Sequence, residues 1–152
     1  MQAAREGKLT DAMKMVAEAE HIAPELIRER VARGSIAIPA NVNHAALKPE
    51  GVGEGLRVKV NANIGTSSTY PDIEPELKKL DEAVKCGANA VMDLSTGANI
   101  DVSRKRIIGH SPIMVGTVPL YQATVRAIRE HGAVIEMTDE DIAANYGAQG
   151  YN

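Results

Sequence analysis

Three times between Arg57 and Glu130 a short apolar, β-branched run turns polar and gives way to an amphipathic helical stretch. The runs are Arg57-Val-Lys-Val-Asn-Ala-Asn-Ile-Gly65, Ala90-Val-Met-Asp-Leu-Ser-Thr-Gly97 and Ile113-Met-Val-Gly-Thr-Val-Pro-Leu-Tyr121. Strands that alternate strictly with helices form a parallel sheet with right-handed crossovers. In such sheets the carboxyl ends of the strands and the loops after them converge on one rim, where ligands bind. The polar groups gather at those ends. Asn61 and Asn63 follow the first run, Asp93, Ser95 and Thr96 end the second, and Thr117 and Tyr121 close the third.

The flanking pattern fills in the helices. Glu74 and Glu76 suit the positive end of a helix that turns Leu77, Leu80 and Val84 inward and stops at Gly87. Asp101 is a cap for a helix with Val102, Ile107 and Ile108 inward, stopped at Gly109. The third helix is expected from about Gln122 to Glu130, with Val125 and Ile128 inward. Ahead of the repeats, Thr10 caps a helix whose inner face is Ala12, Met15, Val16 and Ala19, and Pro24 opens another that ends at Gly34. Ile36 to Ile38 reads as a short strand, and 41–55 as a loop. Val134 to Thr138 suits a loop or short strand, after which Thr138 caps a last helix with Asp141 as partner. The expected division is 1–56, a helical and loop segment; 57–142, successive βα units; and 143–152, an atypical tail that breaks off the last helix.

A doubly wound sheet would want a glycine fingerprint after its first strand, which Gly65-Thr-Ser-Ser does not supply. The expected fold class is therefore α/β, a partial (β/α) TIM-type barrel of parallel strands preceded by a short helical segment. A closed barrel of this type needs about eight strands. Three or four leave open edges, so a non-catalytic, self-associating partial-barrel module is the alternative reading.

Composition removes several classes. The net charge is −3 with no long basic run, and with no Trp, no Phe and four Tyr there is no base-stacking platform, so no nucleic acid is expected as a partner. No apolar run approaches a membrane span, and the first residues lack a signal-type apolar segment. Cys86 has no second cysteine to pair with, which fits a reducing, cytoplasmic location. At the end of an amphipathic helix it is expected to be buried. His21, His110 and His131 show no metal-ligand spacing, and no nucleophile motif occurs, so neither metal nor catalytic residues are assigned. His44 is expected to be a solvated or capping loop residue. A phosphosugar lyase is a further reading, which needs a Schiff-base lysine or metal ligands at a strand end; Lys59 is the only strand lysine, and it points opposite to Val58 and Val60.

Spacing leaves the site residues open. Asn61 and Asn63 point the same way on an extended segment, which suits ligand carboxamides and turn chemistry equally. Met92 reads as core filler, and Asp93, on the opposite face, as a buried, paired structural carboxylate. Ser95 to Asn99 reads as a plain strand-to-helix connection. Tyr121 divides evenly between a ligand contact and helix packing.

Four motifs in one order break the tie. Ile38-Pro-Ala-Asn-Val-Asn-His44, Lys59-Val-Asn-Ala-Asn-Ile-Gly65, Val91-Met-Asp-Leu-Ser-Thr-Gly97 and Gly116-Thr-Val-Pro-Leu-Tyr-Gln122 together resemble the amino-terminal part of the phosphomethylpyrimidine synthases, the thiamine pyrimidine synthase family. The resemblance runs from about residue 2 to about residue 142. It implies a (β/α) barrel and thiamine biosynthesis by a lyase of the radical S-adenosylmethionine class. Such enzymes convert aminoimidazole ribotide to hydroxymethylpyrimidine phosphate, as homodimers. It implies a [4Fe–4S] cluster on three cysteines near the carboxyl end, S-adenosylmethionine, and histidines for a metal, with zinc as the candidate. Carried over position by position, the family's substrate contacts fall on Asn63, Met92 and Tyr121. Asn61 and His44 match the motifs without an assigned role. The cluster cysteines, metal histidines and later strands would lie beyond Asn152, so the chain alone is expected to be inactive.

Overall fold

A computed structural model of the chain describes residues 1–97 and 99–148, with backbone alone at 145–148. Ala98, in the loop after the second run, and the end of the expected atypical tail lie outside the described residues.

The front of the chain folds around its own aliphatic cluster. Helices α1 (Gln2–Arg5), α2 (Asp11–Glu20) and α3 (Pro24–Arg33) bury Ala4, Met13, Val16, Ala17, Ile27 and Val31 against Ile36. The Thr10 hydroxyl accepts the Met13 amide, and Gly34 ends α3 at φ 85°, as the capping signals predict. Met15, expected inside, is 46% exposed, and Met13 takes the inner face. Strand β1 (Ile36–Ala37) pairs antiparallel with β2 (Val52–Gly53), which lies in a stretch that reads as loop because its glycines hide the pairing.

Strands β3 (Asn61–Ile64), β4 (Ala90–Asp93) and β5 (Met114–Thr117) form the expected parallel sheet in the order β3-β4-β5. Helices α4 (Glu74–Lys85) and α5 (Ile100–His110) make the crossovers, and α6 (Pro119–His131) follows β5. The three strands form an open sheet that does not close on itself. Ile64, Val91, Leu77, Leu80, Ile107 and Ile113 form the core between the sheet and its helices. No described helix is long and apolar enough to cross a membrane.

Several inward-facing assignments change. Pairing starts at Asn61, not Arg57; Val58 is 90% exposed, and the asparagines lie within the strand instead of after it. In α6 the fully buried residues are Ala123 and Ala127, which let the helix approach closely, while Ile128 is 48% exposed. Helix α6 also starts at Pro119, because proline's fixed φ suits the first helical turn. Val102 is exposed on α5, where Ser103 and Arg104 are buried instead. Cys86 is exposed, since it caps α4 outside the packed face. Val134–Glu136 forms one 3-10 turn. Thr138 and Asp141 make the reciprocal cap of α7 (Asp139–Ala148), through Thr138 N to Asp141 Oδ2 at 2.9 Å and Asp141 N to Thr138 Oγ1 at 3.2 Å. The helix does not stop at Ile142; Ala143 and Ala144, both strong helix formers, carry it on.

A polar chain joins the two clusters. Glu20, at the end of α2, accepts Lys59 Nζ at 2.8 Å, the Arg57 amide at 2.9 Å and Arg57 Nε at 3.1 Å. Glu50 accepts from Asn89 Nδ2 at 2.9 Å, and Asn89 Oδ1 accepts the Val60 amide at 2.9 Å. Burial of Glu20 would raise its pKa, but the Lys59 ammonium and the Arg57 donors together hold it below the usual carboxylate value. A carboxylate depressed in the folded state stabilises fully above its unfolded pKa, about 4.3, and that contribution fades as pH falls through the lower folded value. Urea titrations should therefore show stability falling from about pH 5 downward. Glu20→Gln should remove about 3 kcal/mol at pH 7 and flatten that acid limb. An unchanged acid limb in the variant would assign the sensitivity to another carboxylate.

Candidate functional site

The period of two in a strand decides what meets on the open face of the sheet. Ile64 and Val91 point to the helices, so Asn61, Asn63 and Met92 point away from them. Parallel register then sets Asn63 beside Met92, and Met92 beside Gly116, in one row across the three strands. Asn61 Nδ2 donates to Asn63 Oδ1 at 3.0 Å. The Asn63 carbonyl is thereby occupied, and its two amide hydrogens remain for a ligand. This row offers a donor at one end and a soft thioether further along.

The helix-facing side holds the rim together. Asp93 is 4% exposed and accepts the Ser95 amide at 3.0 Å and the Ser95 hydroxyl at 2.5 Å. Ser95 Oγ in turn accepts the Thr66 amide at 3.0 Å, and the Thr66 carbonyl accepts Thr96 N at 2.8 Å. Asp93 is thus the paired structural carboxylate expected from its parity, and Ser95 to Thr96 is a connection between loops. Gly65 permits the close approach. At φ 150°, an added Cβ would stand 2.6 Å from Ser95 N and 2.7 Å from the Leu94 carbonyl carbon. Its amide donates to the buried Glu76 carboxylate at 2.7 Å, in the first turn of α4.

Tyr121 lies apart from the row. It sits in the first turn of α6, 42% exposed, and lines a groove of about 940 Å³ with Ser68, Thr96, Leu120, Val125 and Ile128. Neither Asn63 nor Met92 lines that groove. The structure therefore brings Asn63 and Met92 together and sets Tyr121 beside the rim loops through Thr96. A tie missed from the sequence orients this turn: Arg104, 9% exposed, donates to Asp101 at 3.2 Å and to Gln122 at 2.5 Å. Only the arginine's place on an apolar helix face hinted at it.

Other readings of charged residues change. His44 is buried, 8% exposed, and its Nε2 donates to the Ser111 carbonyl at 2.7 Å. Ser111 precedes β5, so this loop closes the amino-terminal end of the sheet, opposite the rim. Nothing local in the sequence signals that bond. Lys59 is outside β3 and ion-paired to Glu20, with side chains 8% and 4% exposed, so it is no free amine at a strand end. Glu130, His131 and Asp141, which showed no ligand spacing, are gathered by the turn between α6 and α7, with ligand atoms within 4.8 Å of one another. Arg126 already neutralises Glu130 at 2.9 Å, and Thr138 donates to Asp141 at 2.9 Å through its amide, so the cluster serves the helix ends. Cys86, alone at the end of α4, does not fit a cluster that needs several thiolates.

Replacing Gly65 with alanine should cost at least about 2 kcal/mol, because both the φ and the backbone clash oppose it. Gly87→Ala, at φ 84° with open space around it, should cost less. Urea unfolding of both variants checks the order, and equal losses would remove the rim contact as the reason.

The family model described as "Radical SAM ThiC family" matches residues 1–150, across most of the stretch expected to be an atypical tail. A phosphomethylpyrimidine synthase of Desulforamulus reducens is 56% identical over 142 residues, which cover 93% of this chain and 33% of that protein. Those of Moorella thermoacetica and Carboxydothermus hydrogenoformans are 51% identical over 142 residues and 49% over 150, covering 33% and 35% of their lengths. The chain thus spans about a third of the length of these curated relatives, and it belongs to the radical SAM ThiC family.

Proposed function

We propose that this chain carries the first part of the substrate site of a phosphomethylpyrimidine synthase, and that β3, β4 and β5 are opening strands of a (β/α) barrel. The observation that carries this reading is the register of Asn63 and Met92 on the face away from the helices. In a barrel that face is the interior. The substrate would be aminoimidazole ribotide. Asn63, its carbonyl held by Asn61, donates to a ring nitrogen or a ribose or phosphate oxygen. Met92 gives a polarisable apolar contact, and Tyr121 contributes its ring or hydroxyl from the start of α6.

The [4Fe–4S] cluster and S-adenosylmethionine supply the hydrogen-abstracting radical in such an enzyme. Cys86 alone does not meet a cluster's requirement for thiolates, so the role of this chain is to bind and orient substrate, not to generate the radical. The assembly is a homodimer in this reading, working in the cytoplasm, and any zinc ligands lie elsewhere in it.

Isothermal titration with aminoimidazole ribotide tests the site. Asn63→Ala and Met92→Ala should each weaken binding about tenfold, roughly 1.4 kcal/mol, with the fold intact by circular dichroism. Unchanged affinity in both variants would place the ligand elsewhere. Anaerobic reconstitution with iron and sulfide should leave the chain without a cluster chromophore; stoichiometric absorption would contradict the assignment of the cluster ligands to another part of the protein.

A second reading rests on the sheet, which stays open with β3 and β5 outermost among the described residues, and on exposed Leu120, Tyr121 and Ile128. Here the chain self-associates without catalysis. Sedimentation velocity with and without the ribotide decides: a concentration-dependent dimer that takes up no ribotide supports it, and ribotide binding by the chain favours the first reading.

A further inference from the structure

Gly116 stands in the same row as Asn63 and Met92, yet it offers no side chain to a ligand. What occupies its place is Met92. A Cβ added at Gly116 would be 2.5 Å from the Met92 sulfur and 3.6 Å from its methyl carbon. The thioether therefore leans sideways from β4 and lies over β5. Strands are about 4.8 Å apart, so the sulfur is drawn roughly one strand spacing away from the Asn63 side. The neighbour of Met92 on the same face of β4 is Ala90, a small residue two positions back. A shallow floor over β4 results, with the Asn63 amide donors on one flank and the sulfur on the other. It suits a flat, nitrogen-containing ring, which can accept a hydrogen bond at its edge and pack its face on the thioether.

We infer that Gly116 is a specificity-determining position, which keeps this floor open by seating the Met92 thioether over β5. The inference rests on the site reading above and adds a residue that itself touches no ligand. Its action is steric and goes through Met92. The backbone of Gly116 needs no left-handed conformation, so alanine is not excluded by φ. An alanine methyl would meet the sulfur, and the flexible thioether would give way by swinging back toward Asn63, into the space a ring would use.

The test is a double-mutant cycle read in two ways on the full 152-residue chain. Methionine methyl groups are labelled with carbon-13, and the Met92 signal is assigned by its loss in Met92→Ala. Aminoimidazole ribotide is the probe, titrated by calorimetry and by the methyl spectra. Gly116→Ala should shift the Met92 methyl signal in the free chain and weaken ribotide binding at least tenfold. In the Met92→Ala background the same substitution should change affinity less than threefold, because no sulfur remains to displace. That background also keeps the test alive if the single variant folds poorly.

Equal losses in both backgrounds, or no loss with Met92 present, would overturn the inference while leaving the site reading intact. If Asn63→Ala and Met92→Ala both leave affinity unchanged, or the unsubstituted chain takes no ribotide, the site reading fails and this inference fails with it.

Discussion

The pairing of β3 with β4 is the constraint on which the rest of the molecule depends. One parallel register puts Ile64 and Val91 into the aliphatic core and, by the same step of two, Asn63 and Met92 onto the open face. A slip of one residue would exchange the two sets. The register is clamped at both ends. At the start, the Val60 carbonyl accepts the Asn89 amide at 2.8 Å while Asn89 Oδ1 holds the Val60 amide. At the finish, the Ile64 carbonyl takes the Leu94 amide at 2.8 Å, and Thr66, Ser95 and Asp93 continue the stitching into the loops. Gly65 is the point of closest approach between them.

These clamps matter because the core behind the sheet is small and purely aliphatic. With no Phe or Trp in the chain, burial comes mainly from Ile, Val and Leu side chains, each contributing about 1.5–3 kcal/mol. The front unit has its own cluster, and the Glu20–Lys59 pair and the Glu50–Asn89 contact join it to the sheet. Among the described residues the same sheet stays open, with β3 and β5 outermost, and α6 carries exposed apolar residues.

The βα repeats were legible because β-branched runs and helix caps are local signals. Thr10, Pro24, Gly34 and the Thr138–Asp141 cap all act where the sequence places them. Asp93 was legible as structural through parity alone. Facing was less readable on helices whose apolar stripe is broad. On α6, Ala123 and Ala127 take the buried face, and Val125 and Ile128 line the groove beside Tyr121 instead. Bonds between residues far apart in the chain were not legible at all. His44 to Ser111, Lys59 to Glu20 and the grouping of His131 with Asp141 come only from the folded path. The candidate site shows the same division. Asn63 and Met92 meet through strand register, whereas Tyr121 lines a groove set by the approach of α6 to the rim loops.

The most direct measurement is a set of intermolecular nuclear Overhauser contacts from the imidazole proton of bound aminoimidazole ribotide. A ligand held on the open face of the sheet should show contacts to the Met92 methyl and to the Asn63 side-chain amide together. Contacts confined to Val125 and Ile128, in the groove beside Tyr121, would contradict the account by seating the ring on the helix instead of the strands.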